Sequence, residues 1–175
     1  SQVEEEFVTR ISSKIEVIQK GFFQDEVFGN SGPLPPRGGE ATTYTIFWQA
    51  KNYYSDVRGA KIKAVLPQGG ELTGRIFPEE EAQKFTFDSQ SREIVWSLGD
   101  LARGRGISDT PPNLSFQIAF TPAESQRGQT PDIIGKVYIS GEDTWTEATI
   151  EATAPAIDTA LPDDDSVTPA LGIVQ

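Results

Sequence analysis

Few side chains in this sequence are equipped for chemistry. Among its 175 residues there is no Cys, no His and no Met. Thiolate nucleophiles, disulfides and Cys or His metal ligands are therefore ruled out. So are serine–histidine triads and any side chain whose ordinary pKa lies near neutral. Acidic runs at Glu79–Glu81, Glu142–Asp143 and Asp163–Asp165 offer oxygen ligands and carboxylates. Calcium takes roughly six to eight oxygen ligands. Of the three runs, Asp163, Asp164 and Asp165 are the best calcium candidates. None of the runs has the alternating acids and glycine of a calcium loop, and a solvated loop is the ordinary reading. No other cofactor is expected. Paired carboxylates can also hydrolyse glycosides, but nothing sets one of them in an apolar pocket. No catalytic residue is assigned, and an enzyme is not expected. Asn30, Asn52 and Asn113 all fall in turn segments, which argues against a self-formed Lys–Asn isopeptide bond. Asn113 heads the only Asn-x-Ser match, "NLS".

The aromatic residues are the other candidates. Tyr53 and Tyr54 lie in the polar turn "KNYYSD", where adjacent tyrosines can bind glycan or protein or can simply cover the end of a fold. Trp145 stands opposite Ala148 and Ile150 in the local alternation, so it is expected to point outward and to serve an interface. Trp48 and Trp96 are expected in the core.

The net charge is −11. A polyanion or an anionic bilayer would repel such a chain, so neither nucleic-acid binding nor peripheral membrane binding is expected. No apolar run reaches the ~18 residues of a membrane span, so no direct membrane insertion is expected. A chain that starts at Ser1 and contains no Met reads as a processed product or as an excised piece. Together with the lack of Cys, this suits a protein that crosses a membrane unfolded and works outside the cell.

These residues must be held by strands. Tyr44, Ile46 and Trp48 share one face of residues 42–50, opposite Thr43, Thr45 and Phe47. Ile62 and Leu66 alternate with Lys61 and Lys63. Ile94, Trp96 and Leu98 form a third inward face, and Leu114, Phe116, Ile118 and Phe120 a fourth. Val137 and Ile139 follow, and then Ile150 with Ala148 and Ala152. "QGG", "DSQSR", "ARGRG", "DTPPN" and "SGED" supply the turns between them. Residues 12–24 fit both a helical and a two-residue period, and their β-branched content favours strand. "GNSGPLPPRGGE" (29–40) is an extended surface loop. Short strands with one polar face each predict an antiparallel, immunoglobulin-like β-sandwich. The expected organisation is an N-terminal extension over 1–11, a sandwich over 12–155, and an acidic, Pro-containing tail over 156–175 lying outside it.

The order "GGEATTYTIFWQAKNYYSDVRGAKIKAVLPQGG", "FTFDSQSREIVWSLGDLARGRG" and "NLSFQIAFTP" resembles the conserved-repeat immunoglobulin-like domain of bacterial and archaeal surface proteins, a domain of unknown function. The residues that carry the resemblance run from Gly39, Glu40 and Tyr44 through Asn52, Leu66, Pro67, Gly69 and Asp88 to Trp96, Gly99, Leu101, Gly104 and Phe120. They cover residues 38–121. The flanks, with "DTWT" and the terminal "GIVQ", resemble the last domain of long surface proteins of ultra-small uncultivated bacteria. The resemblance implies a mechanical role at the cell surface, in stalks, coats, adhesins or fibres, and it carries no catalytic residues.

A sheet edge leaves backbone groups unpaired, and an extended apolar segment from a neighbour can fill it. Val3, Phe7, Val8 and Ile11 at one terminus, and Val167, Leu171, Ile173 and Val174 at the other, are the candidate donors. The expected function is an extracellular structural subunit that self-assembles into a filament or surface layer by strand donation. Its expected partners are further copies of itself or neighbouring surface-protein domains. The other reading is an adhesin module that recognises glycan or protein through Tyr53, Tyr54 and Trp145.

Overall fold

The computed structural model describes residues 10–175. The expected donors Val3, Phe7 and Val8 lie outside the described residues. The chain forms an antiparallel β-sandwich of immunoglobulin-like architecture. One sheet has four strands in the order β1 (Ile15–Phe22), β2 (Thr42–Asn52), β7 (Asn113–Phe120) and β4 (Gly70–Phe77). The other has five, in the order β10 (Thr149–Ala154), β9 (Val137–Asp143), β3 (Val57–Val65), β6 (Glu93–Leu101) and β5 (Phe85–Phe87). A small third sheet pairs β8 (Asp132–Ile134) with β11 (Ile157–Asp158). No helix among the described residues is long and apolar enough to cross a membrane.

The two-residue period explains the core, because alternate side chains of each strand point between the sheets. Tyr44, Ile46, Trp48, Ile62, Leu66, Ile94, Trp96, Leu114, Phe116, Ile118, Phe120, Val137 and Ile139 are all buried there. The Phe116 ring stands edge-on to Trp48 at 4.9 Å and tilted to Phe85 at 5.1 Å, bridging the two sheets. Ile150 is only half-buried, because β10 is an edge strand. Leu98 is half-buried for a different reason. Ala60 pairs with Gly99 and Lys61 with Ser97, so Leu98 is the extra residue of a bulge and turns to the rim. Leu101 is buried beyond it.

Two buried polar side chains stand out. Thr45, on the polar face of β2, is buried because the loop after β1 lies over the outside of the sheet. Its hydroxyl donates to Asp25 (2.7 Å) and accepts from Asn30 Nδ2 (2.9 Å), and Asn30 in turn accepts from Gln117 Nε2 (2.9 Å). Gln19 of β1 is also buried. It accepts from Trp48 Nε1 at 2.7 Å and donates to the carbonyls of Gly135 and Pro155, so its amide is filled on both sides.

The C-terminal segment differs most from expectation. Residues 156–175 do not lie apart from the sandwich; they fold back and close one of its ends. Ile157, Leu161, Val167 and Val174 are buried against it. Gly21 permits this contact, since a Cβ there would come within 2.7 Å of Ile157 Cγ2. The chain then loops through Asp164, Thr159 Oγ1 donates to the Gly172 carbonyl (2.5 Å), and Val174 N donates to Gln129 O (3.0 Å). Gln175 N donates to Pro36 O (2.8 Å) and its carbonyl accepts from Gly38 N (3.0 Å). Leu171 is half-buried, and Ile173 alone of the four C-terminal donor candidates is exposed. Of the four C-terminal donor candidates, Val167, Leu171 and Val174 pack against their own chain and Ile173 faces outward.

Replacing Phe116 by Ala removes the ring that bridges the sheets and is expected to cost about 3–5 kcal/mol of unfolding free energy. Urea denaturation measures it. A loss below about 1 kcal/mol would mean that the surrounding core collapses to fill the space.

Candidate functional site

The strand registers place distinct segments at the two ends of the sandwich. Ile15 pairs with Asn52, and Val57 pairs with both Leu101 and Asp143, so these residues share one end. Thr42 pairs with Phe120, which also pairs with Gly70, at the opposite end. The described chain enters at the first end, beside Trp145. Its last residue, Gln175, is bonded to the loops of the second.

The first end is organised by Asp143, which is fully buried. Its Oδ2 accepts from Ser13 N (2.6 Å) and Ser55 Oγ (2.6 Å), and its Oδ1 accepts from Trp145 N and Thr146 N (2.8 Å each). Burial alone would raise the pKa of this carboxyl. The Ser55 hydroxyl and the amides of Ser13, Thr146 and Trp145 outweigh that effect and hold it well below the usual carboxylate range. Beside it Ser13 Oγ donates to Asn52 Oδ1 (2.6 Å) and accepts from Tyr54 N (2.9 Å). Asn52 Nδ2 donates to the carbonyls of Ser55 and Leu101 (2.8 and 2.9 Å). The entering segment and the β2–β3, β6–β7 and β9–β10 connections are thus tied together by the fully buried Asp143 and Asn52 with Ser13 and Ser55.

On this frame stands an exposed apolar triad. Ile11, Tyr54 and Trp145 are 74, 61 and 52 % exposed and line one cleft of about 460 Å³. Asp56 and Arg103 complete its polar wall. Arg10 places its guanidinium 5.0 Å from the Trp145 ring centre, a cation–π contact. Tyr53 faces away from the cleft. Its hydroxyl donates to Glu16 (2.8 Å), which raises its pKa, and Lys14 lies 4.8 Å over its ring. Tyr54 and Trp145 are therefore brought together, and Tyr53 is engaged with β1.

The calcium candidates are not brought together. Asp164 is buried, and its carboxylate accepts from Phe23 N (2.7 Å), Gln24 N (2.9 Å), Ser166 N (2.9 Å) and Ser166 Oγ (2.6 Å). These donors outweigh burial and lower its pKa. Asp163 and Asp165 are exposed on either side of it. Oxygens that face N–H groups are turned away from a cation, so Asp164 is a staple between the C-terminal segment and the end of β1.

A second surface lies at the edge strand β4. A cleft of about 600 Å³ runs between Val27–Phe28 and the Ile76, Phe77 and Ala82 side. Val27 and Phe77 are 45 and 53 % exposed.

Sequence reasoning named Asp143 and Asp164 only as members of acidic runs and Asn52 only as a turn residue, gave Ser13 no role, and did not find the bonding that joins them. Asp143 and Asp164 did carry a local signal. Each accepts amides two or three residues ahead, in "DTWT" and "DDS", as Asx turns do. The long-range donors Ser13, Ser55 and Phe23 had none.

No family model matches the chain and no curated protein matches it, so the resemblance to the conserved-repeat domain and to its form in ultra-small bacteria rests on its quoted residues alone. Among solved structures the chain is similar to BcpA, the major pilin subunit of Bacillus cereus, at 10 % identity and a TM-score of 0.47, over 83 % of this chain and 39 % of that one. It is also similar to the major pilin SpaD of Corynebacterium diphtheriae, at 11 % identity and a TM-score of 0.46, over 83 % of this chain and 35 % of that one. The chain thus spans well under half the length of these pilins. Likeness this loose carries no argument about role or partners.

Asp143→Asn is expected to lower stability at neutral pH by about 1–3 kcal/mol, the cost of leaving buried donors poorly matched. The sign of the pH effect follows from the depressed pKa. The carboxylate's contribution is complete above the unfolded value of about 4 and is lost as pH falls toward the lower folded value. Urea midpoints between pH 6 and pH 2 should therefore fall more steeply for the parent than for the variant. Parallel curves would assign the acid sensitivity elsewhere.

Proposed function

We propose that this protein is an extracellular structural module that carries load along its long axis and joins further copies of itself, or neighbouring surface-protein domains, into a filament or surface layer. Joining is by strand donation, and the donor is the N-terminal segment with Val3, Phe7 and Val8. The observation that carries this reading is the path of the chain, which enters at one end of the sandwich beside Trp145 and is fixed at Gln175 to the other. The burial of Val167 and Val174 against their own chain supports giving the donor role to the N-terminal side. A heterologous contact of this kind does not close on itself and so propagates.

One observation favours an adhesive reading: Ile11, Tyr54 and Trp145 stand exposed around a cleft that Asp56 and Arg103 also line. Aromatic faces beside a carboxylate and a guanidinium suit the apolar and hydroxyl faces of a sugar.

Deleting residues 1–9 separates the two readings. Sedimentation at rising concentration is expected to show larger species for the full chain and monomer for the shortened one, with the same melting temperature. A full chain that stays monomeric at every concentration, with no filament in negative stain, would defeat the structural reading. Under the adhesive reading, glycan-array binding survives the deletion and falls about tenfold or more in Trp145→Ala.

A further inference from the structure

We propose that the cleft along β4 is the acceptor for residues 1–9 of a second copy, an assignment that rests on the strand-donation reading and specifies where the strand goes. Edge strand β4 pairs with β7 on one side only. Its outer flank is mixed: Ile76, Phe77 and Ala82 face Val27 and Phe28 across a cleft that Arg75 and Glu79 also line, and Arg75 Nη1 donates to the Phe28 carbonyl (2.8 Å). Phe77 is more than half exposed and stands next to exposed Val27 in the same cleft, so the two form a pair of exposed apolar side chains.

The register limits what can enter. Leu72 pairs with Ile118 and Ile76 with Phe116, so the residues between them bulge out of the ladder. A bulge prevents a long edge-to-edge ladder. It leaves Ile76 and Phe77 regular, opposite Phe116 and Ser115. The incoming segment therefore gains backbone pairing over a short stretch and is held mainly by side chains in the cleft. A short segment with a few apolar anchors fits this better than a full strand would, and "SQVEEEFVT" has three: Val3, Phe7 and Val8.

The protein's own segment cannot supply them. Phe77 lies level with Ser115, Phe47 and Lys20 across the sheet. From Ile15 to Lys20 is five residues, about 17 Å along the strand, and from β1 to β4 is three strand spacings, about 14 Å across. Arg10 lies beyond Ile15, beside Trp145. Phe7 and Val8 are only three and two residues before Arg10 and reach about 10 Å at full extension. The occupant is thus a neighbour's segment, whose nine residues span about 30 Å when extended. Charge favours one register. Arg75 is exposed on the cleft wall, and Glu79 stands at the other end. In the proposed register, with Phe7 and Val8 against Phe77, Glu4, Glu5 and Glu6 would approach Arg75, whose guanidinium has further N–H donors besides the one given to the Phe28 carbonyl.

The chain has no cysteine, so introduced thiols are the only ones present. Two singly substituted full-length chains, Val8→Cys and Ala82→Cys, are mixed and oxidised. The expected product is a disulfide-linked pair of one of each, about tenfold more abundant than from Val8→Cys mixed with Arg103→Cys, which places the thiol at the Tyr54–Trp145 cleft. Equal yields, a preference for Arg103→Cys, or Ala82→Cys chains joining mainly to each other would overturn the proposal. Phe77→Asp supplies an independent readout, since an exposed position leaves folding intact by circular dichroism. It is expected to reduce assembly in sedimentation as strongly as deletion of residues 1–9. If the deletion abolishes assembly and Phe77→Asp does not, donation stands and this acceptor falls. If the full chain never assembles, strand donation itself falls, and the acceptor with it.

Discussion

Asp143 is a carboxylate buried at one end of the sandwich, and no lysine or arginine is paired with it among the described residues. Such a group persists only where donors replace its lost water, and here four do. Two of those donors belong to the β9–β10 connection, one to the β2–β3 connection and one to the entering chain. The positions of Trp145, Tyr54 and Ile11 at that end follow from this one charge. Trp145 stands where the amide next to Asp143 Oδ1 puts it. Tyr54 follows from the bond of its amide to Ser13, and Ile11 from the anchoring of Ser13 itself. A surface assembled around a fully bonded ion is stiff, because moving any of its segments strips a donor from the charge.

The opposite end is closed by different means. There the chain's own last twenty residues supply the cover, with Ile157, Leu161, Val167 and Val174 turned inward and Asp164 holding the amides of Phe23 and Gln24. Gly172 lets the final turn lie against the preceding strand region, since a Cβ there would come within 2.6 Å of Ala160 Cα. The module is therefore polar in the geometric sense: one end presents apolar rings to solvent, and the other has spent its apolar residues on itself.

How much of this was legible depended on the range of the interaction. Alternation over Tyr44–Trp48 or Leu114–Phe120 is a local property and marks the inner faces directly. The bulge that turns Leu98 outward is not local, because it arises from how β6 pairs with β3. Thr45 looks like a solvent-facing residue along its own strand, and Gln19 is a polar residue on the inward face it shares with Ile15 and Val17. A loop covers Thr45, and two distant carbonyls accept from the Gln19 amide. The C-terminal apolar residues were visible as apolar, but nothing in their spacing says whether they cover their own sheet or another molecule's. Asp164 looked like part of a metal-binding run because the sequence displays three neighbouring acids and hides the amides that come to meet the middle one.

The anchoring of the chain at opposite ends has a mechanical consequence. Tension applied between Arg10 and Gln175 runs along β1, whose eight residues pair in unbroken register with β2. Pulling in that direction slides one strand past its partner and loads the whole row of ladder bonds at once, whereas peeling would break them one after another. Rupture under load is governed by the unfolding rate rather than by equilibrium stability. A shearing geometry of this kind raises that barrier without any covalent cross-link, which a chain free of cysteine cannot draw from disulfides.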